Sequence, residues 1–306
     1  MLMVSTLDGR NEPPVSLLCA TVMPIDLHAH SRFSDGSDSP TELVEQAGAI
    51  GLSALALTDH DTLDGIPEAR TAASRLPLEL IPGVEISCEW QPGTLHMVVL
   101  FLEPGPGPLQ DRLAGLQKAR ATRNDRIVER LNDLGIEITV QEVADEAGAG
   151  VAGRPHIAAL LVERGVVEDM RAAFDEYLGN GRPAYVSRER LSPEESIELA
   201  RQSGALPILS HPYTMGLESE TQFREAFAHL AAAGMTGIDC YYPEYSPQER
   251  LAMVEVTRSF GMIPSGGSDY HGTYKEGLQL GIGWGDLVVP DEVLEELKSA
   301  RAELLS

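Results

Sequence analysis

The segment Ile25-Asp-Leu-His-Ala-His30 ends a short apolar run with two histidines, His28 and His30. Side chains alternate along a strand with period two, so both imidazoles lie on one face and can reach one metal ion. Other histidine clusters follow apolar runs in the same way. They are Thr58-Asp-His60, Ser210-His-Pro212 and Ser268-Asp-Tyr-His271, with His96 in a further strand-like stretch. This pattern predicts a multi-metal hydrolase site at the mouth of a β/α barrel.

The spacing of apolar residues supports the barrel. Short apolar runs at 53–57, 78–81, 97–101, 206–209 and 237–240 predict buried parallel strands. Helical patterns at 40–50, 65–75, 193–203, 222–233 and 247–260 alternate with them. Strands that alternate with helices of this length indicate βα units, and the active residues of β/α barrels lie where strands end.

Length and composition are consistent with one large domain. The chain has 306 residues, enough for one barrel of about 250 residues and an insertion. No apolar run approaches the roughly 18 residues that would predict a membrane span. Three cysteines form no motif, which favours a reducing cytoplasm without disulfides. Residues 1–22 are predicted to be an N-terminal extension, or Met23 is the initiator.

The charge distribution indicates what the protein binds. A net charge of −24 argues against duplex nucleic acid, whose binding requires cations. Residues 105–190 nevertheless hold 12 of the 23 Lys and Arg against 14 Asp and Glu. This strand-poor stretch is predicted to be a small, mainly helical insertion over the barrel mouth, between barrel segments 23–104 and 191–306. Its arginines would attract an anionic substrate, or form a solvated helix face.

Further candidate metal ligands follow from residue type and position. Asp35 lies in the turn Ser34-Asp-Gly-Ser37, where a carboxylate binds a cation or caps the turn. Glu85 ends an apolar run, where an unpaired carboxylate is costly to bury and a metal ion removes that cost. His96 alone fits a core histidine better than a ligand. Because all these donors occur together with His211, Asp269 and His271, a shared metal site is the better hypothesis.

The motifs as a set resemble the PHP (polymerase and histidinol phosphatase) superfamily. They are Asp26-Leu-His-Ala-His-Ser31, Phe33-Ser-Asp-Gly36, Ala56-Leu-Thr-Asp-His-Asp61, Ile81-Pro-Gly-Val-Glu85, His211-Pro212 and Gly267-Ser-Asp-Tyr-His271. All occur in the family's order, from about Pro24 to the C-terminal helix. The stretches Gly153-Arg-Pro-His-Ile-Ala158 and 177–185 further resemble the subgroup that removes the 3'-phosphate from 3',5'-nucleoside bisphosphates and, in some members, trims RNA from its 5' end.

The resemblance implies an α/β fold, a distorted (β/α)7 barrel of PHP type, and a trinuclear metal centre. The first ion would bind His28, His30, Glu85 and Asp269, the second Glu85, His96 and His211, and the third Asp35, His60 and His271. Two to three divalent ions are expected, and this donor set suits manganese, iron or zinc. A water that bridges two ions would be the nucleophile. His211, His271 and Asp269 are the candidate catalytic residues, and the group that protonates the leaving oxygen stays open.

The helix start at Gly153 supplies candidate substrate contacts. Its N–H groups favour anions, and Arg154 beside Pro155 can hold a phosphate bidentately, or be a surface arginine. His156 and Arg182 are the other candidates. The predicted reaction is hydrolysis of 3',5'-nucleoside bisphosphates to the 5'-monophosphate, with trimming of short RNA ends. The alternatives are a phosphatase for a small monoester such as histidinol phosphate, and a non-catalytic domain, which would have eroded ligands. The oligomeric state is not predicted.

Overall fold

The computed structural model describes residues 24–148, 150–187 and 189–306. Within these residues, seven strands form a single sheet and follow one another in sequence order. They are β1 (Ile25–Asp26), β2 (Ala54–Leu57), β3 (Glu79–Cys88), β4 (Leu95–Leu100), β5 (Leu206–Ser210), β6 (Gly237–Tyr241) and β7 (Ile263–Gly266). The amide of Leu27 donates to the carbonyl of Gly266 (3.2 Å), and Ala29 forms a bridge with Tyr270. These contacts join the first and last strands, so the sheet is a nearly closed barrel.

Strand β4 differs from the sequence prediction. The run at 97–101 was expected to be a parallel strand, but β4 pairs antiparallel with both β3 and β5. That prediction was wrong because an apolar run identifies a buried strand without giving its direction. The reversal places the first residues of β4 at the barrel mouth, where His96 pairs with Ser87 on one side and Ser210 on the other. His96 therefore reaches the site from the beginning of its strand.

In the described part of the chain, six helices cover the barrel. They are α1 (Pro40–Ala49), α2 (Ile66–Ala73), α7 (Pro193–Gln202), α8 (Glu220–Ala233), α9 (Pro247–Ser259) and α10 (Glu292–Leu304). Ser39, Ser192 and Ser246 cap three of them by accepting the amide hydrogen three residues later, and each is followed by proline, which suits the first helical position. The helical patterns predicted at 40–50, 65–75, 193–203, 222–233 and 247–260 are confirmed in position and type.

Alternate side chains of the strands pack into two different apolar clusters. Leu55 and Leu57 pack outward with the helices, whereas Ala54 and Ala56 belong to a second cluster. Val293 and Leu297 of α10 join that second cluster. Helix α10 therefore packs against the interior of the barrel, at the end opposite the strand ends that carry the polar residues. The other end of the barrel, its mouth, is left open.

The segment between β4 and β5 is helical. It contains α3 (Pro108–Asp133), α4 (Val140–Ala147), α5 (Arg154–Glu163), α6 (Met170–Ala173) and a π-helical turn at Phe174–Leu178. These helices share their own apolar cluster, which includes Ile127, Ile157 and Leu161. The amide of Val151 donates to the carbonyl of Phe33 (2.8 Å), and the Tyr274 hydroxyl donates to Glu146 (3.0 Å). The insertion thus lies over the mouth, as expected. Its exact boundaries, 105 and 190, stay a prediction.

The remaining expectations concern the N-terminal residues, the cysteines and membrane spans. The predicted extension at 1–22 and Cys19 lie outside the described residues. Cys88 and Cys240 are buried free thiols. Among the helices that the structure describes, none is long and apolar enough to cross a membrane.

Candidate metal centre

The barrel mouth brings the nine predicted ligand residues together. Loops after β1, β2, β5 and β7 and the strands β3 and β4 supply them: His28, His30, Asp35, His60, Glu85, His96, His211, Asp269 and His271. All but His96 and His271 are classed as buried, and those two are half-buried. Such a concentration of ionisable groups inside a protein is costly unless they are paired or bind metal ions.

Glu85 lies at the centre of this cluster. Its Oε2 atom faces the Nε2 atoms of His28 (3.4 Å) and His30 (3.2 Å). Its Oε1 atom faces His96 Nδ1 (3.1 Å) and His211 Nε2 (3.2 Å). His60 Nδ1 also lies 3.4 Å from Oε2, so the two oxygens of one carboxylate face two different sets of imidazoles. This is the arrangement that a carboxylate bridging two ions requires.

Among the residues that the structure describes, three groups of donor atoms could each hold an ion, since the ligand atoms of each group lie within 4.8 Å of one another. They are His28, His30, Glu85 and Asp269; His30, Asp35, His60 and His271; and His60, Glu85 and His96. The first matches the set expected for the first ion. The second adds His30 to the set expected for the third ion. The third contains His60, whereas His211, expected there, contacts the same Glu85 oxygen as His96.

Unsatisfied polar atoms test whether this cluster fits metal ions. His28 Nε2, His30 Nε2, His60 Nδ1 and Asp269 Oδ1 are buried without a hydrogen-bond partner among the described residues. Buried polar atoms in native proteins are normally satisfied, and exceptions require an explanation such as an ion. Each of these atoms belongs to one of the three donor groups and faces other donors. The residues therefore fit divalent cations.

Several residues that the sequence did not single out orient the ligands. The Asp239 carboxylate lies 3.0 Å from His28 Nδ1, which leaves Nε2 directed at the cluster. Such carboxylate–histidine contacts fix the ring and the tautomer of metal ligands. Asp59 accepts hydrogen bonds from the hydroxyls of Ser31 and Ser34 (2.7 Å each) and so holds the turn that carries Asp35.

The sequence held a signal for Asp239 that was overlooked. It is an acidic residue within the apolar run Gly237-Ile-Asp-Cys240, as Glu85 is in its own run. The argument that a buried carboxylate needs a partner applies equally to both.

Close contacts within the cluster shift the pKa values of its members. Burial alone would lower the pKa of His30, but the carboxylates of Asp269 and Glu85 outweigh it and raise the pKa to about 9. Burial would raise the pKa of Asp269, but Lys275 and His28 hold it well below its usual range. Lys275 Nζ lies 2.6 Å from Asp269 Oδ2. The positive charges of Lys275 and His28 thus favour the ionised form of Asp269, whereas burial lowers the pKa of His60 to about 3 and favours its neutral imidazole.

The backbone is strained at the same place. Asp61, His211 and Asp269 have positive φ values of 58°, 27° and 51°, a region that non-glycine residues rarely adopt. Gly267 packs so closely on the loop after β1 that a Cβ atom would lie 2.4 Å from the His28 amide nitrogen. Strain of this kind tends to occur at functional sites, where packing enforces it.

An arginine-lined cavity of about 170 Å³ adjoins the cluster and shares Asp35, His60 and His96 with it. Its arginines are Arg120, Arg123, Arg154 and Arg190, and the cavity is here called the arginine cavity. Sequence reasoning identified only Arg154 among them. The Nε atom of Arg190 is buried and has no hydrogen-bond partner within the described part of the chain. A cluster of guanidinium groups beside histidines and carboxylates is a site for an anion.

Arg154 is held in place by the insertion. Its Nη1 donates to the carbonyl of Leu178 (3.0 Å), and its guanidinium lies 5.6 Å from the centre of the Phe174 ring and 5.9 Å from that of Tyr185. Burial, followed by the positive charge of Arg190, lowers the pKa of Arg154 to about 10. The group is still a cation at neutral pH, and a bound anion would relieve the repulsion.

The other two predicted substrate contacts lie elsewhere. His156 is buried, and its Nδ1 accepts the Gly153 amide (2.9 Å), so it caps the helix that begins with Arg154. Arg182 is exposed and is not among the residues that line the arginine cavity. The structure therefore brings Arg154 to the cavity directly, with His156 behind it.

A buried ion pair fastens the cavity to the barrel. Arg120 donates from Nε (3.0 Å) and Nη2 (2.7 Å) to one oxygen of Asp61, which directly follows His60. Gln117 donates to the Asp61 carbonyl (2.9 Å). These contacts fix α3, and the arginines that it carries, relative to the metal-site loop after β2.

Comparisons with known proteins agree with this geometry. The family model described as the PHP domain matches residues 26–179. A 3',5'-nucleoside bisphosphate phosphatase of Chromobacterium violaceum is 34% identical over 84% of this chain and 90% of its own length. The 5'-3' exoribonuclease Rnm of Salmonella typhimurium is 34% identical over 80% of this chain and 84% of its own. The solved structure of an amidohydrolase from Chromobacterium violaceum superimposes with a TM-score of 0.79 at 30% identity, covering 91% of this chain and 96% of that one.

Proposed function

The chain belongs to the PHP domain family and is a phosphoric ester hydrolase. We propose that it removes the 3'-phosphate of 3',5'-nucleoside bisphosphates to give the 5'-monophosphate. The observation that carries the proposal is the arginine cavity, which shares Asp35, His60 and His96 with the ligand cluster. A substrate that occupies both places has two anionic groups a short distance apart. A nucleoside bisphosphate has this form, whereas a simple monoester leaves the arginines unpaired.

We assign the nine clustered residues as ligands of two to three divalent transition-metal ions. Their histidine and carboxylate donors suit manganese, iron or zinc. Bound ions would polarise the phosphoryl oxygens and lower the pKa of the attacking water. Asp239 keeps His28 Nε2 directed at the cluster, and Lys275 and Tyr242 hold the Asp269 carboxylate.

The chain's own residues orient the substrate. The 3'-phosphate lies at the ligand cluster beside His211, His271 and Asp269, the candidate catalytic residues. The 5'-phosphate pairs with Arg154, which can use a planar fork of donors, and with its neighbouring arginines. His156 supports this contact by capping the helix, and Arg182 remains a candidate contact outside the cavity.

The same orientation extends to RNA. Water attacks the phosphorus at the ligand cluster, the bond to the 3'-oxygen breaks, and that oxygen leaves with a proton. In RNA the attacked phosphate stays on the next nucleotide, so the shortened chain again carries a 5'-phosphate. Repetition of this step trims short RNA from the 5' end, the direction in the name of the relative from Salmonella typhimurium.

A substrate panel tests the proposal. Purified protein with manganese is assayed against adenosine 3',5'-bisphosphate, adenosine 3'-monophosphate and histidinol phosphate, and products are identified by chromatography. We expect adenosine 5'-monophosphate from the bisphosphate, with kcat/KM at least about 30-fold above that for the 3'-monophosphate, because a charged phosphate contact contributes about 2 kcal/mol or more. Preference for histidinol phosphate would replace the proposed substrate. No turnover of any ester would favour the binding domain.

A further inference from the structure

A second basic surface adjoins the arginine cavity on the outer side of α3. This α3 groove, of about 400 Å³, is lined by Lys118, Thr122, Arg123, Arg126, Ser187 and Glu189, together with small residues of the helix. Lys118, Thr122 and Arg126 recur at helical spacing, so they lie along one face. The lining of the groove therefore includes three cations, two hydroxyls and one carboxylate, although the net charge of the protein is −24.

Arg123 connects the two sites. It is 4% exposed and lines both the arginine cavity and the α3 groove. Its guanidinium donates two hydrogen bonds to the Asn124 side chain (3.1 and 2.8 Å), which hold it between the two sites. The side chain thus forms the wall between the proposed 5'-phosphate position and the groove outside.

The exposed cations of the groove are available for a ligand. No ion pair to Lys118 or Arg126 is found within residues 24–148, 150–187 and 189–306. Glu189 lies 3.9 Å from Arg112, so its charge is shared with a cation. From Lys118 to Arg126 the helix rises about 12 Å, at 1.5 Å per residue. This is longer than a single phosphate and suits a short chain of anionic groups.

We propose that the α3 groove binds anionic groups attached to the 5'-phosphate, so that the enzyme also accepts nucleoside 3'-phosphates with a 5'-di- or triphosphate. The proposal rests on the proposed function, since it requires the 5'-phosphate in the arginine cavity. That cavity, at about 170 Å³, is smaller than the roughly 300 Å³ of ordinary ligand pockets, so further phosphates must extend beyond it. The adjoining basic surface lies past Arg123. Extra phosphates there are remote from the reacting bond and improve binding rather than the chemical step.

The test compares two substrates in three proteins. Adenosine 3',5'-bisphosphate and adenosine 3'-phosphate 5'-triphosphate are assayed with wild type, with Lys118→Ala/Arg126→Ala, and with Arg75→Glu. The control removes the same net charge at an exposed position after α2 that lines neither site. We expect the double variant to raise KM for the triphosphate about tenfold, from two exposed ionic contacts. The kcat of the double variant for the triphosphate, and its kcat and KM for the bisphosphate, should stay within about twofold of wild type. The kcat and KM of Arg75→Glu for both substrates should also stay within about twofold.

Each outcome separates the groove from the proposed function. Bisphosphate turnover without any turnover of the triphosphate in wild type would overturn the groove and leave the function. Equal effects of the double variant on both substrates, or equal effects of Arg75→Glu, would also overturn it. A 5'-monophosphorylated oligonucleotide is assayed in addition with the same three proteins, and a loss in the double variant confined to this substrate would assign the groove to the RNA chain and overturn the proposal. If wild type hydrolyses neither nucleotide, the proposed function fails, and the groove assignment fails with it.

Discussion

Replacement of Arg154 by alanine separates the two proposed phosphate positions. The substitution removes a cation from the arginine cavity while Arg120, Arg123 and Arg190 remain. Loss of a buried, charged hydrogen-bond partner costs about 2–5 kcal/mol. Because three arginines remain, we expect about 2 kcal/mol, which corresponds to a decrease of roughly 30-fold in kcat/KM for adenosine 3',5'-bisphosphate.

The assay measures kcat/KM for this bisphosphate and for p-nitrophenyl phosphate, which has no second phosphate. Hydrolysis of p-nitrophenyl phosphate should change less than about threefold, since it engages only the ligand cluster. Arg154→Lys should lose less on the bisphosphate, because it keeps the charge without the planar fork. Arg171→Ala, an exposed arginine of the same insertion, is the matched control and should behave as wild type. Equal losses on both substrates, with an unchanged melting temperature, would refute the assignment of Arg154 to the second phosphate.

Three further outcomes follow from the ligand cluster. Glu85→Ala should abolish turnover and lower metal content together, because both oxygens of Glu85 face imidazoles. His229 is exposed and paired with Glu194, so His229→Ala should do neither. Equal damage from the two substitutions would contradict the assignment. Asp239→Asn should weaken metal affinity by about 10- to 100-fold in a metal titration through its contact with His28, and unchanged affinity would exclude that role. Manganese at about 100 times its Kd should raise the melting temperature of chelator-treated protein by roughly 5–10 °C, and no shift would mean that the folded cluster does not bind it.

The sequence predicted the architecture because its signals are local. Apolar runs, helical patterns and histidines at strand ends are readable from short segments, and they correctly indicated the barrel, its helices and the helical insertion. The direction of β4 is not a local property. It depends on pairing with β3 and β5, so the parallel prediction failed there, although His96 was correctly placed at the site.

The arginine cavity shows a different limit. Arg120 and Arg123 were not singled out among the arginines of the insertion, which were predicted to attract an anionic substrate or to form a solvated helix face, yet both are buried. A signal was present, since they continue the buried stripe of α3 set by Leu113, Leu116 and Ile127 at intervals of three and four residues. Cations on an apolar stripe require anionic partners. Which partners they meet, Asp61 for Arg120 among them, depends on how the insertion packs on the barrel.

Metal content measures the central claim most directly. Protein purified with manganese and freed of unbound ions by gel filtration is analysed for transition metals by mass spectrometry, alongside Glu85→Ala. Because three groups of buried donors converge at the barrel mouth, we predict two to three ions per wild-type chain and a clear loss in the variant. Less than one ion per chain, with no phosphoesterase activity gained on adding manganese, would contradict the assignment of these nine residues as a catalytic metal centre.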